Sequence, residues 1–182
     1  CRIFESLGIP VYYADDRAKQ LMASDPDLRT GIEELFGPEA YHPDGSLNRR
    51  HIGSIAFQNP DKLKALNELV HPAVFRDSER WNEEQEARGV PYTLKEAALI
   101  FESGSFRLLD SVIMVYAPRE VRLERVMQRD DAKKEEVEAR MDKQMPEKEK
   151  MERSDFIIYN DGSRSLIRQV LNLHQQLTHA EV

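Results

Sequence analysis

The chain has 182 residues, enough for one α/β domain with a sizeable core and a small helical insertion, but too few for a separate second domain. Its 33 Asp and Glu against 26 Lys and Arg give a formal charge of −7 and a pI near 5.3, which disfavours binding to nucleic acid or to an anionic membrane by bulk charge, so a polyanionic partner would need a local basic cluster. The longest apolar run, VIMVYA at 112–117, falls far short of the roughly 18 residues of a membrane helix, and the single cysteine, Cys1, excludes an internal disulfide and fits a reducing cytoplasm.

In chain order, CRIFESLG has Ile3, Phe4 and Leu7 at helical spacing and a stop at Gly8, with neither an initiator Met nor a signal-peptide pattern. It reads as the tail of a helix, so a strand and the turn feeding that helix are expected upstream of Cys1. The next stretch, IPVYYA (9–14), reads as a strand apolar on both faces, as in a parallel sheet, and it ends on Asp15 and Asp16. Ligands of open α/β sheets lie beyond the carboxyl ends of the strands, so Asp15 stands where a site is expected. Asp is also a favoured helix N-cap, and one of the two acids is expected to cap the helix through Leu21 and Met22, with Arg17 and Lys19 exposed on it.

SDPDLRTGIEELFG (24–37) reads as a capped helix with Pro26 in its first turn, and YHPDG (41–45) as a turn. Asn48 and Asn59 look like N-caps, with Leu63, Leu66, Leu69 and Val70 at helical spacing after the second. His71-Pro72 is expected to interrupt that helix, because the residue before a proline is pushed out of the α region, and a further helix should run through Trp81 towards Gly89. PYTLKEAALIF (91–101), VIMVYA (112–117) and FIIY (156–159) read as strands with helices between them, an alternation that points to a parallel sheet. A terminal helix is expected from about Ser163, with Leu166, Ile167, Val170, Leu171, His174 and Leu177 on one face.

Pro118 should open a helix directly after the third strand. On it, Arg122, Arg125 and Arg129 are spaced i, i+3 and i+7 and share a face, as an anion-binding stripe would require. The competing explanation is a solvated, salt-bridged surface, since Arg119 to Arg153 carries eleven basic and eleven acidic residues. Arg129 stands apart, because Asp130-Asp131 should break the helix beside it and a charged hinge between helices suits a mobile lid. No zinc site is indicated: the five histidines are scattered, and His174 and His179, five apart, lie off a common helix face. The lone cysteine has no base partner, and SGS at 103–105 does not match a nucleophile elbow.

These segments, taken together and in order, resemble the dephospho-coenzyme A kinases, P-loop kinases that complete coenzyme A synthesis. LGIPVYYAD is similar to that family's strand ending in D-A-D, and GSLNRRHIGSIAF (45–57) to its D-G-x-L-x-R…F segment. ELVHP (68–72) is similar to its H-P element, and EAALIFESG (96–104) to its D-x-P-L-L-x-E stretch. VMQRD (126–130) and SDFIIYNDG (154–162) are similar to its lid entry and last strand. The chain departs from the pattern at Tyr13, where the family has the first Asp, and at Ala98, where it has proline. The G-x-x-x-x-G-K-[ST] loop occurs nowhere in the 182 residues, and the resemblance places it just before Cys1.

The resemblance implies a parallel β-sheet flanked by helices, with a core at 1–25, 90–118 and 154–182, a helical acceptor-binding insertion at 26–89 and a lid at 119–153. It implies phosphorylation of the 3′-hydroxyl of dephospho-coenzyme A by ATP with Mg²⁺, in the cytoplasm, by a monomer or small homo-oligomer with no nucleic acid or membrane partner. Asp15 would be the base and Arg129 the guanidinium on the transferring group. Arg49, His71, Glu96 and Arg125 would bind substrate, Asn160 would lie near the adenine, and no residue is assigned as a metal ligand. A helix cap or a satisfied core position explains His71 as well, and an Asn-Asp-Gly turn explains Asn160. Two rival readings are a P-loop kinase for another small acceptor such as a nucleoside monophosphate, and a non-catalytic module for a coenzyme A-like ligand that begins at Cys1.

Overall fold

The computed structural model describes residues 1–179, and the chain falls into two compact units, Cys1–Ala97 and Ala98–Val182. In the first unit, α1 (Arg2–Ser6) leads into β1 (Val11–Tyr13), followed by four helices, α2 (Ala14–Ser24), α3 (Pro26–Phe36), α4 (Arg49–Gln58) and α5 (Pro60–Glu86), and then β2 (Leu94–Glu96). β1 and β2 are parallel, with Val11 opposite Leu94 and Tyr13 opposite Glu96, and the four helices supply the long crossover that parallel pairing requires. Both strands are shorter than their apolar runs. Ala14 already opens α2, and β2 ends at Glu96 because its partner has left the ladder; residues 98–103 turn instead of extending.

The helices of this unit follow from local chemistry. The Asp25 carboxylate accepts from the backbone N–H groups of Asp27 and Leu28, Pro26 starts α3, and Leu28, Ile32 and Phe36 recur every fourth residue on its buried face. Asn48 caps α4 and Asn59 caps α5 in the same way. Ile32, Phe36, Ala40, Tyr41, Ile52 and Ala56 form the core, closed by Met22, Leu66 and Leu69. Gly31 permits this packing: a Cβ there would stand 2.7 Å from a Leu69 methyl carbon. The turn between Tyr41 and Leu47 is held by the Tyr41 hydroxyl on the Met22 carbonyl (2.6 Å) and by Arg29, which donates to the Gly45 carbonyl (2.8 Å) and lies 4.1 Å over the Tyr41 ring.

Two local expectations are overturned in this unit. α5 runs unbroken for 27 residues with Pro72 inside it. A proline in a helix interior costs about 3 kcal/mol, but α5 packs against α2, α3 and α4 and buries Val70 and Ala73 on either side of the proline, so packing overrides the local bias at His71. Neither Asp15 nor Asp16 caps α2. Tyr13 holds the N-cap position without a side-chain cap, and both acids sit in the first turn, where their charge opposes the positive end of the helix dipole.

In the second unit, a single 3₁₀ turn (Ser105–Leu108) precedes β3 (Ile113–Tyr116), then α6 (Arg119–Asp130), α7 (Lys134–Met141), α8 (Glu147–Glu152), β4 (Phe156–Tyr159) and α9 (Leu166–His179). β3 and β4 are parallel, Ile113 opposite Phe156 through Tyr116 opposite Tyr159. The Asp155 carboxylate accepts from the Val112 N–H (2.8 Å) at one end of the pair, and the Gln169 side chain pairs with both backbone groups of Tyr159 (2.8 and 2.9 Å) at the other. α6 ends where expected, with Asp131 left-handed at φ 48°. α9 begins at Leu166, later than the expected Ser163, and its buried side chains are Val170 and Leu173, whereas Ile167 and Leu171 are exposed. Among the described residues, no helix is long and apolar enough to cross a membrane.

Candidate active site

Where β1 hands over to α2, Asp15 is exposed in the first helical turn, and Glu96 lies half-buried at the last position of β2. The Glu96 carboxyl is pushed above its ordinary value, first by burial and then by the Asp15 and Asp16 carboxylates, so three acids share the strand ends. Asp16 differs. Lys19 donates to it at 2.6 Å and holds its carboxyl below the usual range, with the charge of Arg49 adding to the effect. The first residue of α4 thus bears on Asp16, while Asp15 and Asp16 bear on Glu96. His71 is exposed on α5, and no hydrogen bond or ion pair among the described residues links its side chain to Asp15, Glu96 or Arg49.

Beneath the junction lies a network the sequence reading missed. Asp77 of α5 has a side chain only 3% exposed. It accepts from the Tyr12 hydroxyl (2.8 Å), from Arg17 through Nε (2.8 Å) and Nη2 (2.6 Å), and from Arg80 (3.0 Å). The Arg17 fork holds the Asp77 carboxyl below the usual carboxylate range, and burial pushes the Tyr12 hydroxyl well above its ordinary value. Arg17 is therefore not the free surface cation expected from its helical position. Trp81 meets the Tyr12 ring edge-on at 5.4 Å, and Lys95 lies 5.6 Å over it with its ammonium on Ser78 (3.2 Å). Between β1, α2 and Trp81 is a cavity of about 260 Å³. The signal was legible once α5 is taken as one helix: Val70, Ala73 and Asp77 follow i, i+3, i+7 on its buried face, and an acid in an apolar stripe demands a partner.

In the second unit the three arginines of α6 have three different partners. Arg122 donates to the Ala117 carbonyl (3.1 Å) and pairs with Glu147 (3.0 Å), which ties the start of α6 to α8. Arg125 donates to the Asn160 carbonyl (3.0 Å), so two of the expected site residues meet after β4. Arg129 is 73% exposed and forks onto its neighbour Asp130 at 2.7 and 3.0 Å. The stripe is therefore neither a uniform phosphate cradle nor a uniform salt-bridged surface. Beside Asn160, Arg164 lies 4.1 Å over the Tyr159 ring. Glu102, in the turn after β2, receives Lys150 (2.8 Å) and the Met145 N–H (2.9 Å), fastening the loop before α8.

Comparison with known proteins identifies the family. A family model described as dephospho-CoA kinase matches residues 1–165. A dephospho-CoA kinase of Bacteroides fragilis strain YCH46 is 35% identical over 171 residues, covering 94% of this chain and 82% of that protein. The crystal structure of TT1252 from Thermus thermophilus superposes with a TM-score of 0.82 at 34% identity, covering 96% of this chain and 87% of the other. A dephospho-CoA kinase structure from Campylobacter jejuni gives a TM-score of 0.71 at 28% identity, with 97% and 89% covered. The chain belongs to the dephospho-CoA kinase family.

Proposed function

We propose that Asp15 is the base, and Arg129 the guanidinium on the transferring group, of a kinase that moves the γ-phosphoryl of ATP to the 3′-hydroxyl of dephospho-coenzyme A. Family membership makes the chain a phosphotransferase of the last step of coenzyme A synthesis. The division of labour among its residues is our reading. The observation that carries it is the meeting of Asp15 and Glu96 at the carboxyl ends of β1 and β2, the crevice end of a parallel pair.

Transfer of a phosphoryl group passes through a loose transition state, so the protein acts mainly by positioning and by neutralising charge. Asp15 accepts a hydrogen bond from the 3′-hydroxyl and takes its proton as the new O–P bond forms and the bond between γ-phosphorus and the bridging oxygen breaks, releasing ADP. Arg129 suits the other task because its present pairing is weakly held. An exposed ion pair is worth about 0.2–1 kcal/mol, so the fork now on Asp130 transfers to a phosphoryl oxygen at little cost. Arg125, one turn earlier on α6, assists Arg129 and binds substrate, and Asn160, whose carbonyl accepts from Arg125, lies near the adenine of ATP. Arg49 is available to an acidic group of the acceptor, with His71 as a further contact.

Mg²⁺, when bound with the nucleotide, would supply neutralisation of the charge that develops on the phosphates. Among the described residues no group of three or more His, Cys, Asp or Glu side chains forms a metal cage. The half-buried Glu96 would hold a hydroxyl of the substrate or a water on this cation, which usually keeps several of its waters. Residues 26–89 serve as the acceptor-binding insertion, 119–153 as the lid, and the remainder as the nucleotide core, in a cytoplasmic monomer or small homo-oligomer. The test is ATP consumption by the complete gene product with and without dephospho-coenzyme A, alongside a panel of nucleoside monophosphates. Turnover with dephospho-coenzyme A is expected. Preference for a nucleoside monophosphate, or binding without turnover, would replace this acceptor assignment.

A further inference from the structure

We propose that Asp77 is a positioning residue for phosphoryl acceptance: through Tyr12 and Arg17 it fixes the β1–α2 junction on which Asp15 stands, and with it the wall of the adjoining cavity. The proposal rests on the reading of Asp15 as base.

Three observations lead to it. First, the two anchors bracket the base. Tyr12 is three residues before Asp15, Arg17 is two after, and both converge on the one buried carboxylate of α5. Second, the geometry exceeds what stability requires. A buried ion pair is often no more stabilising than well-packed apolar residues, whereas a guanidinium fork on a carboxylate fixes direction as well as distance. Here one oxygen of Asp77 receives both Tyr12 and Arg17 Nε while the other receives Arg17 Nη2 and Arg80, so neither the strand nor the helix turns without breaking charge-assisted bonds to a carboxylate that is itself only 3% exposed. Third, the same anchors line the cavity of about 260 Å³ beside the junction, together with Tyr13, Asp16, Gln20 and Trp81. A clamp that sets the direction of Asp15 therefore also sets the surface offered to the acceptor.

A displacement of about 1 Å at a reacting group costs on the order of 100-fold in rate. The consequence is specific. Loosening the clamp should lower kcat and raise KM for dephospho-coenzyme A while leaving KM for ATP alone. The experiment compares Asp77→Asn with wild type in the complete protein, and repeats the pair in an Asp15→Asn background. Expected is a loss in kcat of roughly 10- to 100-fold with a raised acceptor KM, and almost no further loss once Asp15 is already Asn. An equal fold loss in both backgrounds overturns the positioning role and leaves Asp15 as base untouched. A lowered Tm and a reduced active fraction with both KM values unchanged also overturns it, leaving Asp77 purely structural. Normal turnover of Asp15→Asn alone removes the base, and the proposal with it. Should Asp77→Asn fail to fold, Arg17→Lys keeps the charge and loses the fork. It should show the same raised acceptor KM, and wild-type values for both constants would overturn the proposal.

Discussion

Each unit contains an arginine forked onto an aspartate, Arg17 on Asp77 in the first and Arg129 on Asp130 in the second, with contacts of similar length. Their surroundings differ. The Asp77 carboxylate is 3% exposed against 30% for Asp130, and the Arg17 side chain 39% against 73% for Arg129. What separates a committed charge from an available one is therefore burial and not pairing. Leaving a buried charge without its partner costs several kcal/mol, so the first pair behaves as a fixed strut. The second is screened by water and weakly held, as the role proposed for Arg129 on the transferring phosphoryl requires.

The sharpest way to break the comparison is Arg129→Ala. Turnover should fall by about 10³–10⁵, while Tm stays nearly unchanged because the lost pair is exposed; a large fall in Tm with normal kcat would reverse the two roles. Asp15→Asn is expected to cost roughly 10²–10⁴ in kcat, also with little change in urea midpoint, since Asp15 is exposed. The strut should respond in the opposite sense: Asp77→Asn is expected to lose about 1.5–3 kcal/mol of stability by chemical denaturation, the worth of the charge-assisted hydrogen bonds it gives up, since the arginines left behind reach water.

That loss carries a pH signature. Because the folded-state value of Asp77 lies below its unfolded one, its contribution is complete above the unfolded value of about 4 and is lost as pH falls through the folded value. Wild type and Asp77→Asn should therefore differ most near neutrality and approach each other in acid; a gap independent of pH would show that charge is not what Asp77 contributes. The smallest effect is expected at Glu96. Its value is raised, so the folded state favours the neutral form and bears a cost as pH rises above the unfolded value near 4. Glu96→Gln should raise Tm by about one to two degrees at pH 7, with no gain at pH 3, measured by thermal melts at both.

Much of the local structure was legible. Asp25, Asn48 and Asn59 cap helices because a short acceptor side chain in an extended residue reaches free N–H groups two or three positions on, a matter of near neighbours only. FIIY is a strand as read, and α6 stops at Asp130. Asp15 was found at a strand's end from apolar patterning alone, and Glu96 from the resemblance. What failed depended on distant partners. α5 passes through Pro72 because three other helices hold it, and the long run after Pro91 yields a three-residue strand because its partner is equally short. The expected face of α9 holds at Leu166, Val170, His174 and Leu177, but Leu173 is buried in place of Ile167 and Leu171, since the strand it packs against decides where the edge of the buried stripe falls.

By itself the sequence determined the family, the alternation of strands and helices, and the residue types at the strand ends, because each depends on short-range spacing or on ordered motifs. Tertiary structure decided which charges are committed. Asp77 meets Tyr12 and Arg17 across 65 and 60 residues, and no local preference anticipates a partner that only the packing of α5 on β1 and α2 brings within hydrogen-bonding distance. The energy of a charge is set by the dielectric and the partners around it, and those exist only once the chain has folded.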